Sequence, residues 1–401
     1  MRLPIVVVAA LALACDRAPA GSDASVERDS AGVRIVESSV PVWRSGRGWQ
    51  LDSSIITAGR ADAPPVEQLH RVTGAIRLSD GTLVIANGGS RQLLRYDAHA
   101  NFLGASGGEG EGPGEFRALS WVGRMRGDSI VTWDRGLNRI TVFAPTGAYA
   151  RDFRPTLTEN PMSLELKGAL SNGRFLLARG ASFISAVGKE GVQRQPITGW
   201  VIDSTGVERS SIGPLPGEAV FLKPATSPPG ATIRMPVLLG ASTFFAARED
   251  AVHVVDTDAF AVRTYRPDGT LVAIARRPFT RPAVQPADIA AAIDAALEGL
   301  PPVKEIRDGM RAGFEDVPPP ELLPAIAALR VDDDGDIWVR VGASPSAKDA
   351  TWTVFDPRGR WLGDVALPAS LDILEVGDDY IVTLDRDDLD VERVRVFGLR
   401  K

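Results

Sequence analysis

Six polar residues each close a short apolar run, and their chemical types could bind a ligand or a metal ion. The runs, such as LVIA before Asn87 and IVTW before Asp134, are rich in β-branched and aliphatic residues. Carboxylate and amide oxygens bind hard cations, and guanidinium groups bind carboxylates and phosphates. The same residue types also form salt bridges and turn caps, so a structural role stays open beside a binding role. The six residues are Asn87, Asp134, Arg179, Asp256, Arg340 and Asp385.

A metal site in this chain would have to use oxygen ligands. The three histidines, His70, His99 and His253, are far apart in the sequence, so a site built mainly from imidazole is not indicated. Only His70, which precedes an apolar run, could approach a shared centre. A divalent cation such as calcium is the cofactor that oxygen ligands would hold, and its candidate ligands are Asn87, Asp134, Asp256 and Asp385.

The segment DDDGD at residues 332–336 has the alternating carboxylates of a calcium loop. Its Gly335 is at the fourth position of the segment, whereas an EF-hand loop needs glycine at the sixth. The segment also has the register of Ser79-Asp80-Gly81 earlier in the chain. We therefore interpret it as a hairpin turn.

The glycine-rich segment GASGGEGEGPGEF at residues 104–116 raises the question of a phosphate-binding loop. A phosphate cradle usually adds a lysine followed by Ser or Thr, and a helix begins directly behind it. Here Glu109, Glu111 and Glu115 would repel a phosphate, and Pro113 lacks a backbone N–H group. We interpret the segment as a tight connection between strands.

The elements that would position the polar residues form a divergent internal repeat. Each copy has an apolar hairpin with a turn of Gly, Asp, Asn or Ser, then a second hairpin around an aromatic or aliphatic anchor. The anchors are spaced by 47, 59, 63, 90 and 42 residues and are Tyr96, Phe143, Ile202, Tyr265, Phe355 and Phe397. Repeats of roughly 40 to 50 residues with four strands are typical of propeller blades. The sequence therefore predicts an all-β fold, a six-bladed β-propeller of four-stranded blades.

The longest interval between anchors contains a predicted helical insertion at about residues 286–314. Two segments there have a proline near the start and apolar residues at helical spacing, and Pro301-Pro302 separates them. We expect two short helices between blades 4 and 5.

The sixth repeat stops before its last strand, which would leave an open sheet edge. The segment RGWQLDSSIITAG at residues 47–59 is strand-like and has no blade of its own. We expect this N-terminal strand to complete the last blade and close the ring. Loops of all blades would then converge on a central channel, with His70 and the six polar residues at its mouth.

The N-terminus carries an export signal, since Arg2 precedes an apolar run that ends in small residues. The run is shorter than the about 20 residues that a membrane-spanning helix needs. Ala12-Leu13-Ala14-Cys15 resembles the lipobox of bacterial lipoproteins, which implies lipidation of Cys15; an ordinary signal peptide is the alternative. The polar segment after Cys15 is typical of a flexible tether. We divide the chain into a signal peptide (1–14), a lipidated tether (15–32) and a propeller (33–401).

The composition excludes several classes of partner. The 45 basic and 51 acidic residues give a net charge of −6 with no long basic run, so nucleic acid is not an expected partner. Cys15 is the single cysteine, so no intramolecular disulfide can form. With 44% hydrophobic residues, 40 Gly and 29 Pro, the chain suits a large, turn-rich β-protein. We expect an extracytoplasmic monomer that contacts the membrane only through its lipid.

Two stretches resemble a known family. GEGPGEF (110–116) resembles the connection between blades of NHL-repeat propellers, and VTWDRGLNRITVFAPTGAY (131–149) resembles their strand-turn unit. From about Arg47 onward the chain is similar to this six-bladed family, many of whose bacterial members are secreted lipoproteins. Blades 3 and 4 lack the Gly-Pro-Gly connection and the pair Asn138-Arg139.

Two functions are compatible with these features. The preferred one is a lipid-anchored module that binds a protein, peptide or carbohydrate ligand, because no catalytic set of residues is recognisable. The alternative, which the resemblance to related propellers implies, is a metal-dependent enzyme of the lactonase or lyase type. Its metal would lie in the channel and would polarise a carbonyl group or activate water.

Overall fold

The computed structural model describes residues 25–43, 48–159, 163–179, 189–224, 232–387 and 389–401. The predicted signal peptide and Cys15 lie outside the described residues. Within them the chain is mostly β, with six sheets and two α-helices. Neither helix is long and apolar enough to cross a membrane.

Three strands precede the predicted repeats: β1 (Ser25–Ser30), β2 (Val33–Ser38) and β3 (Gln50–Ala58). The sequence analysis assigned residues up to 32 to a flexible tether, whereas β1 and β2 form an antiparallel hairpin. Ala31 and Gly32 in its turn both have positive φ, 55° and 80°, which the tight turns of two-residue hairpins require. Most side chains of β1 are exposed, so its sequence lacks the apolar alternation that would have indicated a strand.

The first three sheets follow one another along the chain. Sheet 1 contains β4 (Val72–Arg77), β5 (Leu83–Asn87), β6 (Gln92–Tyr96) and β7 (Phe102–Gly107). Sheet 2 contains β8 (Leu119–Arg124), β9 (Ile130–Asp134), β10 (Arg139–Phe143) and β11 (Tyr149–Phe153). Sheet 3 has a fifth strand and contains β12 (Leu164–Ala169), β13 (Phe175–Arg179), β14 (Gly191–Ile202), β15 (Glu208–Pro224) and β16 (Thr232–Pro236).

The N-terminal strands complete two of the remaining three sheets. Sheet 4 contains β17 (Thr243–Arg248), β18 (Ala251–Asp256), β19 (Ala261–Tyr265) and β20 (Leu271–Arg276), followed by β2 and β1. Sheet 5 contains β21 (Ile326–Val331), β22 (Ile337–Val341), β23 (Asp349–Phe355) and β24 (Trp361–Pro368). Sheet 6 contains β25 (Asp372–Val376), β26 (Tyr380–Arg386), β27 (Glu392–Arg400) and then β3.

The sheets are arranged around one centre. The first strands contact each other in the order β4, β8, β12, β17, β21 and β25, and β25 contacts β4 again. Six hydrophobic clusters each fill the space between two successive sheets, including the space between sheet 6 and sheet 1. This arrangement is consistent with the predicted β-propeller.

Burial between two neighbours explains the continuous apolar runs of the second strands. In β5, Leu83 and Ile85 pack in the cluster shared with sheet 6, whereas Val84 and Ala86 pack in the cluster shared with sheet 2. Both faces of the strand are therefore buried away from water. A sequence that alternated apolar and polar residues would bury unpaired polar side chains on one of these faces.

The N-terminal segment joins the outer edges of three successive sheets, and we call residues 33–58 the N-terminal strap. β2 pairs in parallel with β20 of sheet 4. The backbone N–H groups of Val42 and Trp43 then donate to the carbonyls of Trp361 and Leu362 in sheet 5, at 3.0 and 2.7 Å. β3 pairs antiparallel with β27, with Ile56 opposite Val396 and Gln50 opposite Arg400. The strap therefore covers edges that would otherwise offer unpaired backbone groups.

Two buried glutamates of sheet 6 fix the first strand of sheet 1. The Val72 N–H donates to Glu392 Oε2 at 2.8 Å, and the Arg77 N–H donates to Glu375 Oε2 at 2.7 Å. These residues are the two ends of β4. The carboxylates thus satisfy backbone donors across the junction between the last and the first sheet.

The insertion forms helices α1 (Pro286–Glu298) and α2 (Lys304–Glu315), between β20 and β21. Ile293, Leu297 and Phe314 of the helices pack with Ala219 and Met235 of β15 and β16. The helices therefore bury their apolar faces on the extended outer part of sheet 3. A helix pair alone could not bury this surface, which explains the extra length of sheet 3.

The glycine-rich connection between sheets 1 and 2 is held by protein groups. Glu115 accepts the Gly112 N–H at 2.8 Å, so this backbone donor is not available to a phosphate. The buried guanidinium of Arg139 donates to the carbonyls of Glu111 and Gly112 at 3.0 and 3.1 Å. Gly107 has φ of 91°, and a Cβ there would lie 2.6 Å from the ring of Phe116.

Trp43 should be the residue of the strap that contributes most to its attachment on sheet 5. Its ring packs on Gly363, where a Cβ would lie 2.2 Å from Trp43 Cε3, and it stacks at 4.9 Å on Trp49. Trp43→Ala should lower the free energy of unfolding by about 2 kcal/mol in urea titrations. Val42→Ala, at a side chain that is 47% exposed, is the control. Equal effects of the two variants would contradict the packing role of Trp43.

Candidate functional site

A cavity of about 1350 Å³ lies at the centre of the six sheets. Its lining comes mainly from the first strands of the sheets, which face the centre, and from the turns that follow them. A cavity of this size is large enough to hold a small organic ligand.

β-Bulges direct side chains into this cavity. In five of the six first strands, two residues lie opposite one residue of the second strand. This bulge is at the last residue of the second strand in sheets 1, 2 and 5, and nearer the turn in sheets 3 and 6. The extra residue of a bulge has no ladder partner, and bulges often turn a side chain toward a site. All five extra residues line the cavity, and they are Thr73, Ser120, Lys167, Ala327 and Leu374.

Ion pairs cross the centre at the end formed by the turns. Arg124 of sheet 2 donates to Asp333, in the turn of sheet 5, at 2.5 Å. Arg248 of sheet 4 donates to the other oxygen of the same carboxylate. Sheets 2 and 5 are three places apart in the cycle of six, so the contact joins opposite sides. The Asp333 side chain is only 14% exposed, so these pairs are little screened by solvent.

Glu375 extends this charge cluster to sheet 6. Its carboxylate is buried and also accepts the Tyr380 hydroxyl at 3.1 Å. Burial raises the pKa of Glu375, and the positive charges of Arg124 and Arg248 oppose this rise. Burial likewise lowers the pKa of Arg248, and the negative charge of Glu375 opposes that change. At this end the cavity is thus lined by groups of opposite charge, Arg124, Arg248 and Glu375.

Arg340 is the sequence-predicted residue that lines the cavity. It belongs to the second strand of sheet 5 and is opposite Ala328 in β21. Ala327 and Ala328 have small side chains, so the longer side chain of Arg340 can extend past them to the cavity. Among the described residues, the Arg340 guanidinium has no hydrogen-bond or ion-pair partner. Arg330 in contrast donates to the carbonyls of Ile373 and Leu329 at 3.0 and 2.9 Å.

The opposite part of the lining includes aromatic residues. Trp121 and Trp133 of sheet 2 line the cavity across from sheet 5, and Phe244 and Phe245 of sheet 4 line another part of it. The cavity thus has Arg340 on one side and two tryptophans on the other, where charged residues of sheet 2 such as Arg124 and Arg126 also line it. An organic anion with an apolar or ring-shaped part would match both sides.

The other six predicted residues lie elsewhere in the described structure, because most of them satisfy local backbone groups. Asn87 accepts the His70 N–H at 2.8 Å and donates to the Gln68 carbonyl at 2.9 Å. Asp134 is fully buried and accepts N–H groups of Arg117, Ala118 and Leu137 at 2.7, 3.1 and 3.0 Å.

The remaining candidates also have positions outside the cavity lining. Asp256 pairs with Arg194 at 3.1 Å, and Asp385 pairs with Arg393 and Arg395. The side chains of His70 and Arg179 are exposed at the surface. The four candidate metal ligands thus belong to sheets 1, 2, 4 and 6, and each has protein partners. The second strand of each sheet lies behind the first strand as seen from the cavity, which explains the difference.

Sequence reasoning missed the arginines that precede the first turn of four of the six repeats. Arg77, Arg124, Arg248 and Arg330 occupy this position in AIRL, VGRM, AARE and LRVD, and Glu375 occupies it in sheet 6. A charged residue recurring before a turn was a visible signal, but it is equally typical of a solvated hairpin end.

The segment DDDGD forms the predicted hairpin turn. The Gly335 N–H donates to the Asp332 carbonyl at 3.2 Å, and Gly335 has φ of 83°. Of the described acidic, histidine and cysteine side chains, one group of three has ligand atoms within 4.8 Å of one another: Asp332, Asp334 and Asp336. This group is distinct from the four candidate metal ligands of the sequence analysis.

Comparisons with known proteins add similar structures of low identity. No protein-family model matches the sequence, and no similar sequence was found among curated proteins. A Bacteroides fragilis protein described as exported is 12% identical with a TM-score of 0.47, covering 91% of this chain and 99% of its own. A DUF4221 family member from Bacteroides vulgatus is 7% identical with a TM-score of 0.46, covering 88% and 99%.

An enzyme is also among the similar structures. An inactive virginiamycin B lyase from Staphylococcus aureus is 10% identical with a TM-score of 0.40, covering 85% of this chain and 82% of its own. At these values the similarities assign no activity to this chain.

His253 should make the stability of the protein fall in mild acid. The side chain is buried in β18, with Nδ1 3.1 Å from Thr264 Oγ1, and burial lowers its pKa to about 4. The unfolded chain takes up a proton near pH 6.5, which the folded state does not, so the free energy of unfolding falls between pH 6.5 and 4. This contribution is about 3 kcal/mol over that range.

His253→Gln should remove this contribution, so the difference between wild type and variant should change across that pH range in urea titrations. The pKa of Asp336, raised to about 7 by burial, has the opposite effect, but it is common to both proteins. His99→Gln, at an exposed turn position, is the control. A difference between wild type and His253→Gln that stays constant with pH would refute the explanation.

Proposed function

We propose that this chain is an exported propeller that binds a small organic anion in its central cavity. The observation that carries the proposal is the Arg340 guanidinium, which has no partner among the described residues and lies in a cavity that Trp121 and Trp133 line from the opposite side. A partly buried guanidinium is stabilised by a carboxylate or phosphate that it can bind with two hydrogen bonds. The binding function expected from the sequence is thereby proposed to reside in the central cavity, with an organic anion as the class of ligand.

The proposal includes a closed ring of six blades of the NHL-like type. The cycle of first-strand contacts and the hydrophobic cluster between sheets 6 and 1 support it. In this interpretation the strand β3 completes the sixth blade, and the helices α1 and α2 pack on the outer part of blade 3. Export and lipidation at Cys15 are proposed from the apolar N-terminus and the lipobox-like segment.

Binding is preferred to metal-dependent catalysis on geometric grounds. A metal in the channel would need several oxygen ligands converging on it. Asp134, Asp256 and Asp385 belong to three different sheets, and their carboxylates already bind backbone N–H groups or arginines. The hydroxyl groups of the bulge residues Thr73 and Ser120 donate to the carbonyls of Ala86 and Trp133 at 3.4 and 3.2 Å. Their oxygens can still accept a hydrogen bond from a polar ligand in the cavity.

The cavity should therefore bind aromatic or sugar carboxylates through Arg340. A panel of such acids, screened by thermal shift on the purified full-length protein, should contain members that raise the melting temperature. Arg340→Gln should weaken the binding of a positive member by about tenfold to a hundredfold in calorimetry, because a charge-assisted pair is lost.

Arg358→Gln is the matched control, since Arg358 is an exposed arginine of sheet 5 outside the cavity. The Arg358→Gln variant should bind the acid with the same affinity as the wild-type protein. The proposal would be wrong if Arg340→Gln bound the acid as tightly as wild type, or if the neutral amides of the same compounds bound equally well.

A further inference from the structure

The turn between β21 and β22 gathers three carboxylates at one place. Ligand oxygens of Asp332, Asp334 and Asp336 all lie within 4.8 Å of one another. Asp332 and Asp336 are buried, whereas Asp334 is exposed. The positive φ of Gly335 allows the tight turn that brings these alternating residues together.

Asp336 is the group that points to a ligand. It is only 7% exposed, and its carboxylate has no hydrogen-bond or ion-pair partner among the described residues. A buried carboxylate without a partner is costly, so the charge needs compensation from a cation or a proton.

The oxygens of Asp332 are already oriented by neighbours. Oδ1 accepts the Asp336 N–H at 2.8 Å, and Oδ2 accepts Nε1–H of Trp338 at 3.2 Å. Each of these oxygens keeps a further lone pair for another partner. Hydrogen bonds of this kind fix a carboxylate in place before a metal ion binds.

In the described part of the chain, one ammonium group forms ion pairs with the cluster. Lys401 Nζ is 2.5 Å from Asp334 Oδ2 and 3.5 Å from Asp332 Oδ2, and it lies 4.6 Å from the ring centroid of Trp49. The turn therefore attracts positive charge, but one ammonium faces three carboxylates. No ion pair joins Lys401 to Asp336 in the described structure.

We propose that Asp332, Asp334 and Asp336 bind a divalent hard cation, with preference for calcium, which displaces the ammonium of Lys401. Three carboxylates supply only oxygen ligands, the donor type of Ca²⁺ and Mg²⁺ sites. The exposed side at Asp334 leaves room for water ligands. Calcium accepts irregular and variable coordination, whereas magnesium requires near-octahedral geometry, so a short hairpin turn suits calcium better.

The site adjoins the central cavity through its own backbone. Asp333, between two of the proposed ligands, accepts from Arg124 and Arg248, and both arginines line the cavity. The proposed cation would hold the turn from one side while these arginines hold it from the other. The cation site itself does not depend on the proposed ligand of the cavity.

Calcium binding to the full-length protein can be measured by calorimetry with CaCl₂ and, separately, MgCl₂. We expect a dissociation constant for calcium of about 10⁻⁴ to 10⁻³ M. Asp336→Asn should weaken calcium binding about tenfold or more, since it removes one of three charged ligands. Lys401→Gln should tighten it several-fold, because the competing ammonium is gone. Asp378→Asn, an exposed carboxylate in the corresponding turn of sheet 6, should leave it unchanged.

Terbium luminescence gives a second readout that reports position. Terbium(III) substitutes for calcium and emits when a nearby indole is excited, and Trp338 donates to one of the proposed ligands. Emission that CaCl₂ competes away, and that Asp336→Asn abolishes, would support the site. If circular dichroism shows that Asp336→Asn does not fold, Asp334→Asn at the exposed position takes its place.

The proposal would be overturned if neither wild type nor Lys401→Gln bound calcium up to about 10 mM, a concentration beyond the range of extracellular calcium modules. Equal loss of binding in Asp336→Asn and Asp378→Asn would also overturn it, because the effect would then be general charge and not coordination.

Discussion

The pairing of β3 with β27 is the constraint on which the rest of the structure depends. It brings residues near the start of the described chain into one sheet with the last residues, from Gln50 opposite Arg400 to Ala58 opposite Val394. The strand covers the outer edge of sheet 6, and Ile56 and Ala58 enter the hydrophobic cluster between sheets 6 and 1. Because backbone pairing and apolar burial act at the same junction, the last sheet is held against the first.

The central cavity is lined mainly by the first strands, which contact one another in a cycle that includes this junction. Each first strand contacts two others, and Glu392 and Glu375 bind both ends of β4 across the junction. Small residues such as Gly168, where a Cβ would lie 2.3 Å from the Ala247 carbonyl oxygen, allow the first strands to approach closely. The bulges then direct a few side chains inward, so a repeated structural device supplies a lining of varied chemistry.

Local patterns predicted the strands and helices well. The apolar runs, the Asp-Gly turns and the proline-led helices each have a strong local signal, and the structure has strands and helices at these places. The hairpin of β1 and β2 was missed because β1 is polar and exposed, and its pairing with sheet 4 is a long-range contact. Sequence spacing does not reveal which distant edge a polar segment covers.

The site was less predictable than the fold, because side chains at strand ends can serve either the cavity or the backbone. Asp134 and Asn87 end their strands as expected, yet their oxygens accept N–H groups of adjacent loops. Arg340 reaches the cavity only because the strand in front of it carries Ala327 and Ala328. That dependence on a neighbouring strand becomes visible when the pairing register is known.

The most direct test of the closed ring is a cross-link between its ends in a Cys15→Ser background. Gln50→Cys with Arg400→Cys should form a disulfide on oxidation, because paired strand residues lie within about 4.5 to 5.5 Å between Cα atoms. Thr57→Cys with Arg400→Cys, displaced along the strand by roughly 20 Å, should not. Mass spectrometry of the linked peptides would contradict the account if the first pair stayed reduced or both pairs cross-linked equally.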